Sequence, residues 1–253
     1  MVSDKEEKII QITGLVKRYA GQDVPALNGI DLGIGKGEFF GLLGPNSAGK
    51  TTLIHVICGL LRITSGEVRL AGIDVKRHPL QIRKHIGLVP QEIALYPNLT
   101  LRENLEFFGN MHNISRAEVR QRVRECIEIA KLESHANKIV ARCSGGIRRR
   151  ANLVAGLIHS PAIAFLDEPT LGVDTQSREL IFNYLRALNE EGITIIYTTH
   201  HMTEAENLCR RIVIIDQGRV VTEGSPDALI RENPGCHDLG QVFLKLTGRE
   251  LRD

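Results

Sequence analysis

The chain has 253 residues, 42% hydrophobic and 25% charged, with a formal net charge of +2 from 32 basic and 30 acidic side chains. That length holds one large domain, or a core carrying a smaller unit, and the composition excludes disordered and fibrous classes. A charge this near zero offers a polyanion no attraction, so no nucleic-acid partner is expected, and five cysteines without close spacing fit a reducing cytosol.

The opening MVSDKEEKIIQITG is charged and lacks an apolar central run, so no secretory leader is expected, and no stretch approaches the ~18 apolar residues of a membrane span. Ile9 to Leu15 and Ile30 to Ile34 read as short strands between glycine-containing turns. Glu38-Phe39-Phe40-Gly41-Leu42-Leu43 is an apolar run entering a glycine loop, and Thr51 to Leu61 continues as a helix. The loop itself, Gly44-Pro45-Asn46-Ser47-Ala48-Gly49-Lys50-Thr51-Thr52, has the spacing of a phosphate-binding loop between strand and helix. Its glycines let backbone N–H groups close on phosphate oxygens at a helix N-terminus, Lys50 reaches the outer phosphates, and the Thr51 hydroxyl suits Mg²⁺. Kinases, GTPases and transport ATPases all share such a loop.

Gly66 to Asp74 reads as a strand and turn, and Ile86 to Val89 as a short buried strand ending at Pro90-Gln91. From about Leu101 the texture turns helical. Ser115-Arg116-Ala117-Glu118 has capping-box spacing, and Val119, Val123, Cys126, Ile127 and Ala130 follow on one helical face. Cys143-Ser144-Gly145-Gly146 precedes another helix, with Ile147, Ala151, Val154, Ala155 and Ile158 on its apolar face and Ser144 as its N-cap. The glycines there would let a phosphate reach a second helix start, which one nucleotide can share with the first only if two subunits meet head to tail. Arg148-Arg149-Arg150 spreads around that helix and reads as a solvated face.

Ile163-Ala164-Phe165-Leu166-Asp167-Glu168 is a buried-strand pattern ending in two carboxylates. They start in opposite directions, so Asp167 is suited to Mg²⁺ while Glu168 orients or deprotonates an attacking water. A helix with Leu180, Ile181, Tyr184, Leu185 and Leu188 on one face stops at Gly192, and the strand Ile193 to Tyr197 then leads into Thr198-Thr199-His200. Strand-helix-strand alternation implies a covered parallel sheet, whose strand ends bring the loop, the acid pair and His200 to one edge, where His200 contacts a terminal phosphate. Leu239, Val242, Phe243 and Leu246 give a final packing helix.

With these motifs in this order, followed by Pro169-Thr170 and Gly172-Val173-Asp174, the chain resembles the ATP-binding-cassette family from about residue 8 to 253. The resemblance implies an α/β fold: a phosphate-loop NTPase core with a mostly parallel sheet, an N-terminal antiparallel β subdomain and an inserted α-helical subdomain. The expected division is 1–91 and 161–235 for the core, 92–160 for the helical subdomain and 236–253 for a C-terminal helix. It further implies that Tyr19 stacks on adenine, Gln91 links the Mg²⁺ and water site to a transmembrane partner, and Glu168 is the catalytic base. Ser144, Gly145 and Gly146 would complete the opposite subunit's ATP site, with Asp174 at the dimer interface.

Two positions depart from the family pattern: Ser47 stands where glycine is usual, and Cys143 where leucine is. A positive φ at position 47 would cost serine ~1 kcal/mol relative to glycine.

The expected activity is ATP hydrolysis by a dimer, with a second copy as partner. The dimer would sit on the cytoplasmic face of the cell membrane and drive a separate permease, with Glu92 to Asn113 (Leu95, Tyr96, Leu99, Phe107) as docking segment, although most of those apolar residues read equally well as core. The ending Val242 to Arg249 resembles stand-alone subunits of exporters for drugs, polysaccharides or lipids. The alternatives are a soluble mechanochemical ATPase acting on ribosomes or DNA, and a small-molecule kinase. The kinase reading leaves Ser144-Gly145-Gly146 without a use.

Overall fold

Two sheets organise residues 7–112 and 114–248, the part of the chain that the computed structural model describes. Asn113, which ends the expected docking segment, and Arg249 of the exporter-like ending lie outside the described residues, as do 1–6 and 250–253. The first sheet is antiparallel, in the order β2 (Leu27–Gly35), β1 (Lys8–Lys17), β4 (Ser65–Leu70), β5 (Ile73–Asp74). The second has β9 (Arg211–Asp216), β3 (Phe39–Leu43), β8 (Thr194–Thr198), β7 (Ile163–Asp167) and β6 (Ile86–Val89) side by side and parallel, with β10 (Arg219–Gly224) antiparallel on the β9 edge.

The uniformly apolar strands of the second sheet follow from burial on both faces. Phe40, Leu42, Phe165 and Ile196 join the core beneath the first sheet and α1 (Lys50–Ile57), while Phe39, Leu43, Leu166 and Tyr197 face the opposite core. That second core is closed by α6 (Thr175–Glu190), α7 (Met202–Leu208), α8 (Pro226–Arg231) and α9 (Leu239–Thr247). On α6, Ile181 and Leu185 are buried as the periodicity requires, and Gly192, at φ 91°, makes the expected stop. The hairpin β9–β10 and the short α7 and α8 were not foreseen in the sequence.

Helix α1 is shorter than expected. It ends at Ile57, because Gly59 turns left-handed (φ 66°) and the chain leaves the helix axis before Leu61. Helix α2 (Pro79–Ile82) packs its Ile82 into the core beneath the first sheet, and the helical unit consists of α3 (Leu101–Asn110), α4 (Arg116–Ile129) and α5 (Gly145–Leu157). Its reciprocal capping box is at Thr100 and Glu103, where each side chain bonds the other residue's backbone N–H. Ser115 caps α4 one way only, because the Glu118 carboxylate is taken by Arg122 at 2.7 Å.

Leu101, Leu105, Val119, Val123 and Ile127 form a third core, which the Ala151, Val154, Ala155 and Ile158 face of α5 completes. Leu153 and Leu157 on the other face of α5 pack into the core shared with β7. Helix α5 thus belongs to both units, and the packing draws no clean boundary at residue 160.

Candidate functional site

Between β3 and α1, residues 44–49 fold back on themselves. Ala48 N–H donates to Pro45 O at 3.1 Å, and the β9–β10 turn holds the loop from outside, with Gly218 N–H to Ala48 O at 3.0 Å. Gly49 sits at φ 108°, and an added Cβ would lie 2.6 Å from Ala26 O, so only glycine fits. Ser47 adopts the left-handed region at φ 68° and is exposed, so the expected backbone strain is present.

Among the described helices of eight residues or more, α1 alone has no side-chain cap, and it has no acid in its first turn. Its first N–H groups and the positive end of its dipole therefore remain for an anion. Lys50 is buried beside them and donates to Gly44 O at 2.7 Å and Pro45 O at 3.1 Å. Burial lowers its pKa, partly opposed by Glu168 and Asp167.

β7 delivers the two carboxylates to this edge with different partners. Asp167 Oδ2 accepts from Thr51 Oγ1 at 3.3 Å and Oδ1 from Thr198 Oγ1 at 2.6 Å. Glu168 takes Gln91 Nε2 at 3.1 Å on one oxygen and His200 Nε2 at 2.5 Å on the other, and its own N–H donates to Thr198 Oγ1 at 3.0 Å. Its backbone is left-handed, φ 49°, a conformation that costs a non-glycine residue ~1 kcal/mol or more and that these contacts hold in place. Asn46 to Thr52, Gln91, Glu168 and His200, with Ala26 and Leu171, line one cavity of about 460 Å³.

Tyr19, Ser144, Gly145, Gly146 and Asp174 do not line that cavity. Tyr19 is held to α1 by its hydroxyl, 3.2 Å from Thr52 Oγ1, with Lys17 Nζ 5.1 Å from its ring centre. Ser144 caps α5, accepting from Ile147 N–H at a long 3.5 Å. Gly146 packs against the start of α6, where a Cβ would meet Asp174 Oδ2 at 2.8 Å, and Asp174 itself caps α6 through Ser177 N–H at 2.9 Å. That backbone bond is the main reason the Asp174 carboxyl lies below its ordinary range.

Several residues at the site had no sequence signal. Glu204 is buried behind the β8 end and accepts from Thr170, Tyr197 and Thr199 hydroxyls at 3.0, 2.7 and 2.8 Å, tying together the loops that carry Glu168 and His200. The arginine run is not a solvated face. Arg149 is buried and donates to Gln91 O and Leu171 O, and Arg150 donates to Ala130 O and Lys131 O, because planar guanidinium groups satisfy loop carbonyls that no N–H reaches. Cys143 is also buried, with its Sγ 3.5 Å from Ile139 O, and it serves as a small core residue.

The description "ABC transporter" matches residues 27–171. The linearmycin resistance ATP-binding protein of Bacillus subtilis is 43% identical over 240 residues, covering 94% of this chain and 75% of that protein. A Nod factor export ATP-binding protein of Paraburkholderia xenovorans is 41% identical over 94% of this chain and 77% of its own length. The chain belongs to the ABC transporter family.

Solved structures agree. A dimeric ATP-binding cassette in a post-hydrolysis state, bound to ADP and Pi, aligns at a TM-score of 0.79 and 32% identity over 85% of this chain and 98% of its own. The ATP-binding subunit of an ABC transporter aligns at 0.85 and 26% identity over 94% and 99%. The antiparallel sheet, the mostly parallel sheet and the helices are those of an ABC cassette, as the sequence implied. This ABC protein binds and hydrolyses ATP.

Proposed function

We propose that two copies of this ABC cassette meet head to tail, bind ATP with Mg²⁺ between them, and hydrolyse it to drive export through a separate membrane-spanning partner. The observation that carries the reading is Glu168, buried and gripped on one oxygen by Gln91 and on the other by His200 in the wall of the phosphate-loop cavity.

In this reading the uncapped N–H groups of α1 and the Lys50 ammonium hold the β- and γ-phosphates. The Thr51 hydroxyl, an Asp167 oxygen and the Gln91 amide oxygen are hard donors that fit Mg²⁺, which takes its other ligands from phosphate and water. When bound, the ion offsets charge on the phosphoryl group being transferred.

Glu168 orients a water and takes its proton as the water oxygen bonds to the γ-phosphorus. The bond from that phosphorus to the bridging oxygen breaks, and ADP and inorganic phosphate leave. His200 donates to a γ-oxygen. Tyr19 borders the adenine, the other subunit's Ser144, Gly145 and Gly146 close the phosphates, and Asp174 meets the dimer interface.

Export is supported by the relatives, among them a daunorubicin resistance ATP-binding protein of Streptomyces coeruleorubidus, 42% identical over 95% of this chain and 75% of that protein. Of the expected docking residues Leu95 is buried in the third core, but Tyr96 and Phe107, with Met111 of the same segment, remain 47%, 39% and 66% exposed, the two rings edge to face at 4.8 Å, an apolar patch that suits a permease loop. No described helix is long and apolar enough to cross a membrane, so a peripheral place on the cytoplasmic face is proposed for the cassette.

The Glu168→Gln chain is expected to lose at least ~100-fold in hydrolysis while accumulating ATP-bound dimers in size-exclusion chromatography. Undiminished hydrolysis would remove Glu168 from its role. Recovery of ribosomes or DNA instead of a membrane protein, on affinity purification from cells, would overturn the transport reading.

A further inference from the structure

We infer that Arg149 is a positioning residue that couples the two ATP sites of the dimer, by fixing the N-terminal part of α5 to the Gln91 and Leu171 loops of its own chain. This rests on the head-to-tail reading above. Arg149 lies five residues after Ser144, about one and a half helical turns along α5. It is only 8% exposed, and the two ends of its guanidinium diverge, Nη1 to Gln91 O and Nη2 to Leu171 O at 3.4 Å.

Both acceptors belong to loops that touch Glu168. The Gln91 side chain donates to its carboxylate at 3.1 Å, and Leu171 N–H donates to its main-chain oxygen at 3.2 Å. Leu171 and Gln91 also line the cavity. The α5 start, by contrast, does not line that cavity: Gly146 packs against Asp174 and Ser177, while Ser144 and Gly145 are exposed.

One side chain therefore joins a helix end that serves the partner's nucleotide to the two loops that set the geometry of this chain's own base. When nucleotide across the interface seats α5, the guanidinium carries Gln91 and Leu171 with it. Burial lowers the Arg149 pKa, partly opposed by Glu168, and a guanidinium starts so high that it keeps its charge. A lysine would keep the charge but offers a single point of donation, which cannot span two diverging carbonyls.

The test uses the full chain with Arg149→Lys and Arg149→Met, both checked for wild-type thermal melting. The probes are a fluorescent ATP analogue at monomer concentrations and steady-state hydrolysis at dimer concentrations. We expect analogue affinity for the monomer within about twofold of wild type, kcat lowered about tenfold in both variants, and the Hill coefficient for ATP reduced from near the two-site limit toward one. A lysine variant with wild-type cooperativity overturns the coupling, even if kcat falls. A non-cooperative wild type overturns it too. Should Glu168→Gln remain monomeric with ATP, the dimer reading fails and the coupling with it; a normal Glu168→Gln dimer beside an Arg149→Lys chain of unchanged Hill coefficient removes the coupling alone.

Discussion

Ser47 occupies a left-handed, exposed position in the phosphate loop, where its Cβ brings strain. Ser47→Gly is expected to bind ATP as tightly as wild type or up to about fivefold more tightly, since the strain at stake is of order 1 kcal/mol. Titration calorimetry checks this, and weaker binding would mean that the hydroxyl makes a phosphate contact. The residues of this loop were legible because spacing alone defines them: glycines, lysine and threonine are required wherever backbone must wrap phosphate. Asp167, Glu168 and His200 were legible for a related reason, as polar residues directly following apolar strands. Glu204 and Arg149 were not, because each is a charged residue on a helix that carries other charged residues within two positions, and only the tertiary fold turns it inward.

At the scale of elements, the ends of α3 and α5 meet in a stacked pair, the His112 and His159 rings lying 3.7 Å apart and 4° from parallel. His159 Nε2 is 2.9 Å from Ile86 O, which ties the α5 end to β6. Burial, then the His112 ring, pushes the His159 pKa down to about 4, and burial with Arg122 lowers His112 also. The folded state thus refuses a proton that the unfolded chain accepts below about pH 6.5. Stability contributed by this neutrality is intact above that value and is lost as pH falls toward 4. His159→Phe, which keeps a ring on His112, is expected to lose less urea stability between pH 7 and 5 than wild type does; equal losses would place the acid sensitivity elsewhere. Such a junction is invisible in a linear reading, whereas the long helices were clear from period, and the inner strands from their unbroken apolar runs. Helix ends were less clear: Leu60 and Leu61 continue the apolar texture of α1, but Gly59 decides where the chain turns.

For the whole molecule, the exposed Tyr96 and Phe107 rings stand on the helical unit, and Gln91 leads from them to Glu168. Phe107→Asp is expected to leave basal hydrolysis of the purified cassette within about twofold of wild type, because its ring lies outside the ATP cavity. It should abolish co-purification of the proposed membrane partner, and a retained complex would move the docking surface off this patch. The three-part architecture was implied by motif order. That α5 would be shared between two cores was not, since its apolar residues encircle more of the helix than a single face needs. The third core, built by α3 and α4 with one face of α5 and the loops between them, is separate from the two cores around the sheets, and this has an evolutionary consequence. Substitutions there and on its outer surface can accumulate while the sheets around the ATP cavity stay under separate selection, so one motor can be refitted to new partners, provided α5 keeps its grip on both sides.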